Sequence, residues 1–110
     1  MPLKVIVVGS GISSLSAASF ISKEGHDVTI IEKNKQIGGR ARKFSTQGFT
    51  FDMGPSWYWM PDVFEDYYNK FNHTTSDFYN LKRLDPSYRV YWKDNTYTDV
   101  PANMSALEDW

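Results

Sequence analysis

Leu3-Lys4-Val5-Ile6-Val7-Val8-Gly9-Ser10-Gly11-Ile12-Ser13-Ser14, near the start of the chain, dictates its architecture. Residues 3–8 are β-branched and almost wholly apolar, the composition of a strand in a parallel sheet buried on both faces. The run stops at Gly9 and Gly11, and a new pattern begins. From Ile12 to Lys23 small residues alternate with apolar ones at Ile12, Leu15, Ala18 and Ile21, which predicts a helix. Gly25 ends that helix, because glycine tolerates positive φ at a C-terminus. Asp27 to Ile31 predicts a second buried strand. Strand, helix and strand within about 30 residues make one βαβ unit with a right-handed crossover.

The turn inside this unit carries chemistry. Gly9 lets the chain turn tightly from strand to helix, and Gly11, without a Cβ, lets a pyrophosphate come close to the backbone. Unpaired amides at the helix start then face the anion, and the helix dipole adds to the attraction. The fingerprint G-x-G-x-x-G has Ser14 in place of its third glycine. That position asks for a small residue where helix meets strand, so serine is a mild departure. Glu32 follows at the end of the second strand, near the interval of about 20 residues that the fingerprint sets. An acid there accepts hydrogen bonds from ribose hydroxyls and repels a 2′-phosphate, which speaks against NADP.

The glycine turn does not choose between dinucleotides; the next segment does. In Ile37-Gly38-Gly39-Arg40-Ala41, paired glycines expose amides and Arg40 offers a charged fork for phosphate. A second phosphate-binding element so close to the ribose acid suits the long cofactor FAD. Beyond it, Phe51-Asp52-Met53-Gly54-Pro55-Ser56-Trp57 sets a glycine and a rigid proline after a predicted strand, where a flat ring system can lie on bare backbone.

The remaining pattern is coarser. Residues 33–43 predict a loop or the start of a short helix, and Gly48 to Asp52 a strand. Met60, Val63, Phe64, Tyr67, Tyr68 and Phe71 form one helical face after Pro61. Phe78 to Leu84 and Tyr88 to Trp92 predict strands, Lys93-Asp94-Asn95 a turn, and Thr96 to Val100 the return strand of a hairpin. Asn103 to Trp110 predicts the beginning of a helix, with Ser105 as N-cap and Glu108 completing a capping box. The expected organisation is a dinucleotide unit with a flavin-proximal loop and an aromatic helix over residues 1–76, then the start of a substrate domain over 77–110.

Composition narrows the classes. Twelve basic and 13 acidic side chains leave a net charge of −1, which argues neither for a nucleic-acid partner nor for an acidic tail. The absence of cysteine excludes a disulfide scaffold, a thiolate metal site and a thiol nucleophile. The run Val5 to Val8 is too short for a bilayer span, and the glycines after it do not suit a signal-peptide core, so a cytoplasmic chain is expected. No Ser/His/Asp set or metal cluster stands out. His26 and His73 read as lone end-of-helix residues, and Asp52 as a local backbone partner rather than a catalytic carboxylate. The run Trp57-Tyr58-Trp59-Met60 reads equally as interdomain core or as the wall of a hydrocarbon tunnel.

These residues resemble the FAD-dependent amine oxidase superfamily, and within it the bacterial-type phytoene desaturases and related carotenoid desaturases. The resemblance runs from Lys4 to the end of the chain. It is sharpest at Gly38-Gly39-Arg40-Ala41-Arg42 and at residues 51–63 (FDMGPSWYWMPDV), where Gly54-Pro55 replaces the Gly-Gly usual in amine oxidases proper. Residues 84–89 (LDPSYR) resemble the family's first substrate-domain strand pair. The resemblance implies an α/β fold: a Rossmann-like FAD-binding βαβ unit leading into a mixed substrate domain, with a lipid-facing helical region. It implies a cytoplasmic enzyme peripheral to the membrane, with a lipophilic carotenoid substrate dissolved there, desaturating phytoene toward lycopene by hydride transfer to flavin. By position, Gly9, Ser10, Gly11, Ile12, Ser13 and Ser14 would line the pyrophosphate, and Glu32 would take the ribose with Lys33 beside it. Gly38, Gly39 and Arg40 would complete phosphate binding, and Gly54, Pro55, Ser56 and Trp57 would lie near the flavin. Neither the residues nor the resemblance supplies a catalytic side chain, a metal ligand or an oligomeric state. The alternatives are another flavoenzyme of the superfamily (a carotene isomerase, an amine oxidase or a porphyrinogen oxidase) and a non-catalytic prenyl-binding protein of the same fold.

Overall fold

The computed structural model describes residues 1–108, which belong to two compact units, Met1–Trp59 and Met60–Trp110. In the first, β1 (Lys4–Val8) and β2 (Asp27–Ile31) pair in parallel, with Lys4 opposite Asp27 and Val8 opposite Ile31. The crossover is α1 (Ile12–Lys23), with the bounds its sequence predicts. Two backbone bonds close the unit at its ends: the Asp27 amide donates to Leu3 O at 2.9 Å and the Gly9 amide to Ile31 O at 2.7 Å.

The core is where α1 covers the sheet. Val5, Val7 and Val28 are half-buried, and Ala18 of α1 is 5% exposed. Side chains alternate across a strand, so Ile6, Val8 and Ile31 occupy the opposite face, where they are 64%, 81% and 52% exposed. The sequence writes both strands as apolar on both faces, and only one face is covered. The helix stops as expected at Gly25 (φ 85°). The His26 amide reaches back to Ile21 O and the Gly25 amide to Ser22 O, the paired bonds of a Schellman ending. His26 Nδ1 also accepts the Leu3 amide at 3.3 Å, tying the helix exit to the start of β1.

Residues 33–42 form bends, with no helix. The expected strand at Gly48 to Asp52 is β4 (Phe49–Asp52), and its antiparallel partner is β3 (Lys43–Thr46), which the sequence pattern did not single out. Gln47 (φ 50°) and Gly48 (φ 82°) make the two-residue turn, both with the positive φ that primed hairpin turns require. Ser45 and Thr50 share a cross-strand hydroxyl bond of 2.9 Å.

The second unit opens with α2 (Pro61–Asn69), proline in its first turn as expected. Phe71 lies beyond the helix end and packs on Tyr67, ring centroids 5.1 Å apart. A short 3₁₀ turn, Thr75–Asp77, follows, capped by Thr74 and Asp77. Glu65 of α2 accepts both the amide and the hydroxyl of Thr75, at 3.0 and 2.6 Å. The expected strand from Phe78 to Leu84 is not one. The amides of Phe78 and Tyr79 turn back to Thr75 O, and Phe78 stacks on Tyr68 at 4.7 Å. Among the described residues no strand lies alongside to take a ladder from it.

The predicted hairpin is present as β5 (Tyr88–Tyr91) and β6 (Tyr97–Val100), antiparallel with Tyr91 opposite Tyr97. Asn95 takes φ 65° in its loop. Arg89 bridges to Asp99 across the strands, at 2.7 Å from Nη2, and its guanidinium lies 4.0 Å from the Tyr97 ring centroid. In α3 (Met104–Glu108) the cap is Asn103, not Ser105. Asn103 Oδ1 accepts the Ala106 amide at 2.7 Å, and Ser105, inside the helix, donates its hydroxyl to the same oxygen. The rest of that expected helix, residues 109–110, lies outside the described residues. The contact division between Trp59 and Met60 puts α2 with the hairpin, whereas the expected division after residue 76 is one of function.

Candidate functional site

The two glycine clusters meet. Gly9 leaves β1 with φ 98°, which turns Ser10 inward to 1% exposure. The Ser10 carbonyl accepts the Gly38 amide at 2.8 Å, and Gly11 and Gly38 form a parallel backbone bridge. A Cβ on Gly39 would lie 2.9 Å from the Gly11 Cα, and Gly39 already sits at φ 61°. A Cβ on Gly38 would come equally close to the Ala41 carbonyl oxygen. Chain touches chain here, and only glycine permits it.

Gly11 is different. A Cβ on it would meet nothing within 4 Å, so it faces open ground. It is also the N-cap of α1 and makes no side-chain cap bond, and the first turn holds no acidic residue. The amides of Ile12, Ser13 and Ser14 therefore have neither an intrahelical acceptor nor a capping side chain. Ser14 is accommodated, its Oγ lying 3.8 Å from where a Gly9 Cβ would stand.

Glu32 closes the other side. Its Oε2 accepts the Ser10 hydroxyl at 2.7 Å and the Ser10 amide at 2.9 Å. Its Oε1 accepts the Asn34 amide at 2.8 Å and the Asn34 side chain at 2.7 Å. Led by the Ser10 hydroxyl, these donors pull the carboxyl from 4.5 down to about 2, so it is ionised at neutral pH. The folded chain thus binds this proton less tightly than the unfolded chain does. The stabilisation is fully present above about pH 4.5 and drains away as pH falls toward 2. Melting midpoints followed from about pH 5 to about pH 2 will fall more steeply for the natural protein than for Glu32→Gln; parallel curves would contradict this.

Residues 51–57, expected to lie near the flavin, are held against the second cluster. The Met53 amide donates to Arg42 O at 2.7 Å, and a Cβ on Gly54 would run into the Arg40 carbonyl. Pro55, Ser56 and Trp57 continue from there exposed, as are Lys33 and Arg40. Asp52 stands opposite Lys43 in the hairpin, and its expected bond to local backbone is not found among the described residues. Sequence reasoning missed Asn34 and Arg42. An asparagine just after the strand-end acid is the pattern of a local side-chain-to-backbone turn, and Arg42 stood in view two residues after Arg40.

The donors and the acceptor fit the diphosphate and ribose of a dinucleotide: uncapped helix amides beside unfilled space and a buried Arg42 Nε with no acceptor on the donating side, and an ionised carboxylate at the strand end on the accepting side. Among the described residues there is no cluster of metal-ligating side chains, and no helix is long and apolar enough to cross a membrane.

Residues 7–74 match the family described as NAD(P)-binding Rossmann-like domain. The chain is similar to a carotenoid 3,4-desaturase of Haloarcula japonica, 53% identical over 103 residues, covering 94% of this chain and 21% of that protein. It is similar to a 4,4′-diapophytoene desaturase (4,4′-diaponeurosporene-forming) of Staphylococcus aureus, 39% identical over 106 residues, covering 96% of this chain and 21% of the relative. The chain thus spans about a fifth of the length of these curated relatives. A solved protein of Pyrococcus furiosus, PF1083, is 35% identical with a TM-score of 0.43, covering 47% of this chain and 13% of that one.

Proposed function

Because the chain belongs to the family of NAD(P)-binding Rossmann-like domains, we propose that it is the FAD-binding front of a carotenoid desaturase. The observation that carries this reading is the seating of the second glycine cluster on the first, with open ground left over Gly11. An anion reaching α1 there meets the uncapped amides of its first turn, with the second glycine cluster packed alongside. FAD is favoured over NAD by Arg40 and the paired glycines beside the strand-end acid, and by similarity to two proteins named as carotenoid desaturases. A 2′-phosphate would face the ionised Glu32, which disfavours NADP.

The residues then divide their work. Gly11, Ile12, Ser13 and Ser14 hold the diphosphate over the turn that Gly9 and Ser10 shape, whose own amides are bonded to Ile31 O and Glu32; Glu32 orients the adenosine ribose with Lys33 beside it, and Gly38, Gly39 and Arg40 complete the phosphate site. Gly54, Pro55, Ser56 and Trp57 form the backbone floor next to the flavin. Bound FAD supplies hydride acceptance, and the protein's part is placement and electrostatics. Residues 1–76 serve the cofactor and residues 77–110 begin the part that meets the substrate. The substrate is a lipophilic carotenoid, phytoene on the way to lycopene, taken up by a cytoplasmic enzyme at the membrane surface. The 53% identity to a carotenoid 3,4-desaturase favours a second reading, in which the bond oxidised is the 3,4 bond of a carotenoid.

The whole protein will purify yellow, with a flavin absorption band released on denaturation. Incubated with phytoene in liposomes, it will move the product absorption to longer wavelength. A spectrum that changes only with a carotenoid bearing a saturated 3,4 bond favours the second reading. A colourless protein that takes up no added FAD sinks the proposal.

A further inference from the structure

Gly38-Gly39-Arg40-Ala41-Arg42 carries two arginines beside the paired glycines, and only the first follows from the phosphate motif. Arg42 is half-buried, and its Nε is a buried side-chain nitrogen with no hydrogen-bond partner among the described residues. Its Cγ lies 3.4 Å from where a Gly38 Cβ would stand, so the side chain's stem rests on the glycine whose amide bonds to Ser10 O. The Arg42 carbonyl is held by the Met53 amide. The backbone and stem are therefore fixed, while the buried Nε is left without an acceptor. The carboxylate of Glu32 does not provide one, because all four of its acceptor positions are taken by Ser10 and Asn34. Two ion pairs of the described residues, His73 with Asp77 and Arg89 with Asp99, lie in the second unit.

A buried cationic donor without an acceptor is costly and calls for an explanation. An anionic oxygen supplied from outside the chain meets that need. We propose that Arg42 is a further cofactor-holding residue, its guanidinium donating to a phosphate oxygen of the dinucleotide's diphosphate. This rests on the dinucleotide reading above and adds a second cation to the single one the motif provides. With Cγ seated on Gly38, the outer side chain turns about its last bonds to meet the incoming phosphate.

The test compares FAD, ADP and riboflavin as ligands of the whole protein, by calorimetry, in the natural form and in Arg42→Gln and Arg42→Lys. ADP carries the diphosphate without the flavin, and riboflavin the flavin without the phosphates. The expected result is a loss of about tenfold or more in affinity for both FAD and ADP in Arg42→Gln. Riboflavin binding will be unchanged, and Arg42→Lys will recover a large part of the loss. An affinity loss confined to FAD overturns the proposal, since the contact would then be to the flavin. Unchanged FAD and ADP affinity in Arg42→Gln, with a raised melting temperature, also overturns it, since the arginine would then be only a packing residue. If the natural protein takes ADP but no FAD, and Arg42→Gln weakens ADP, the Arg42 contact stands and the FAD reading fails. The lysine variant preserves the stem, so the comparison survives should glutamine impair folding.

Discussion

Gly39→Ala will strip the protein of its flavin and lower its stability together. Gly39 sits at φ 61°, a left-handed conformation that costs other residues about 1–2 kcal/mol. Its new methyl would also lie 2.9 Å from the Gly11 Cα. That atom belongs to backbone anchored by the Gly38 amide on Ser10 O and by the Leu15 amide on Gly11 O, so it has little freedom to yield. Overpacking against fixed backbone adds about 1–3 kcal/mol. Relief comes only by parting the two loops, which removes the surface that faces the diphosphate. Urea unfolding will show a loss of about 2–5 kcal/mol, and the purified variant will carry less than a tenth of the natural flavin content. A variant that purifies fully yellow with its unfolding midpoint unmoved would show that the loops do not depend on this contact.

Gly11→Ala will separate the two effects. Gly11 has φ −71° and ψ 169°, open to any residue, and its Cβ would touch nothing. Alanine there narrows the unfolded ensemble but is a poorer N-cap than glycine, and the two effects oppose, so stability will move by less than about 1 kcal/mol. The methyl nevertheless stands on the ground where the diphosphate approaches the α1 amides. FAD affinity will fall by about a hundredfold or more, the cost of pushing an ionic hydrogen-bond network out of reach. Equilibrium dialysis against FAD, paired with urea unfolding, reads both quantities. If Gly11→Ala bound FAD normally, the open ground would not be the cofactor's, and the site would have to be sought elsewhere. Two glycines two bonds of reasoning apart thus give opposite signatures: one is needed by the chain, the other by the ligand.

The βαβ unit was legible almost to the residue because its signals are local. β-branched runs, a small-residue helix and glycines at its turns need no distant partner to be interpreted. The same holds for Pro61 at the start of α2 and for the hairpin around Lys93-Asp94-Asn95. Where the reading went astray, the deciding interaction lay outside the local pattern. Residues 78–84 have the aromatic composition of a strand, but a strand exists only with a neighbour, and Phe78 packs instead on Tyr68. β3 was hidden because its turn begins with Gln47, an unusual residue for positive φ, and its own residues (KFST) alternate weakly. At α3, serine and asparagine are both good caps, and the backbone chose Asn103.

At the site, the glycines and Glu32 could be picked out by spacing, yet the sequence did not reveal that Glu32 already has partners. Asn34 and Ser10 saturate it only once the strand end and the loop are folded around each other. Arg42 was visible as a letter but not as a buried cation lacking an acceptor.

The clasp between Ser10 and Glu32 has a kinetic consequence. Because it closes using the chain's own atoms, the clasp shapes the strand end without help from a nucleotide. Ribose hydroxyls must exchange with the Asn34 amide rather than occupy vacant lone pairs, so docking is a substitution that needs no refolding. Apoprotein prepared by gentle removal of its nucleotide will accordingly reload quickly and reversibly, with little change in far-UV circular dichroism.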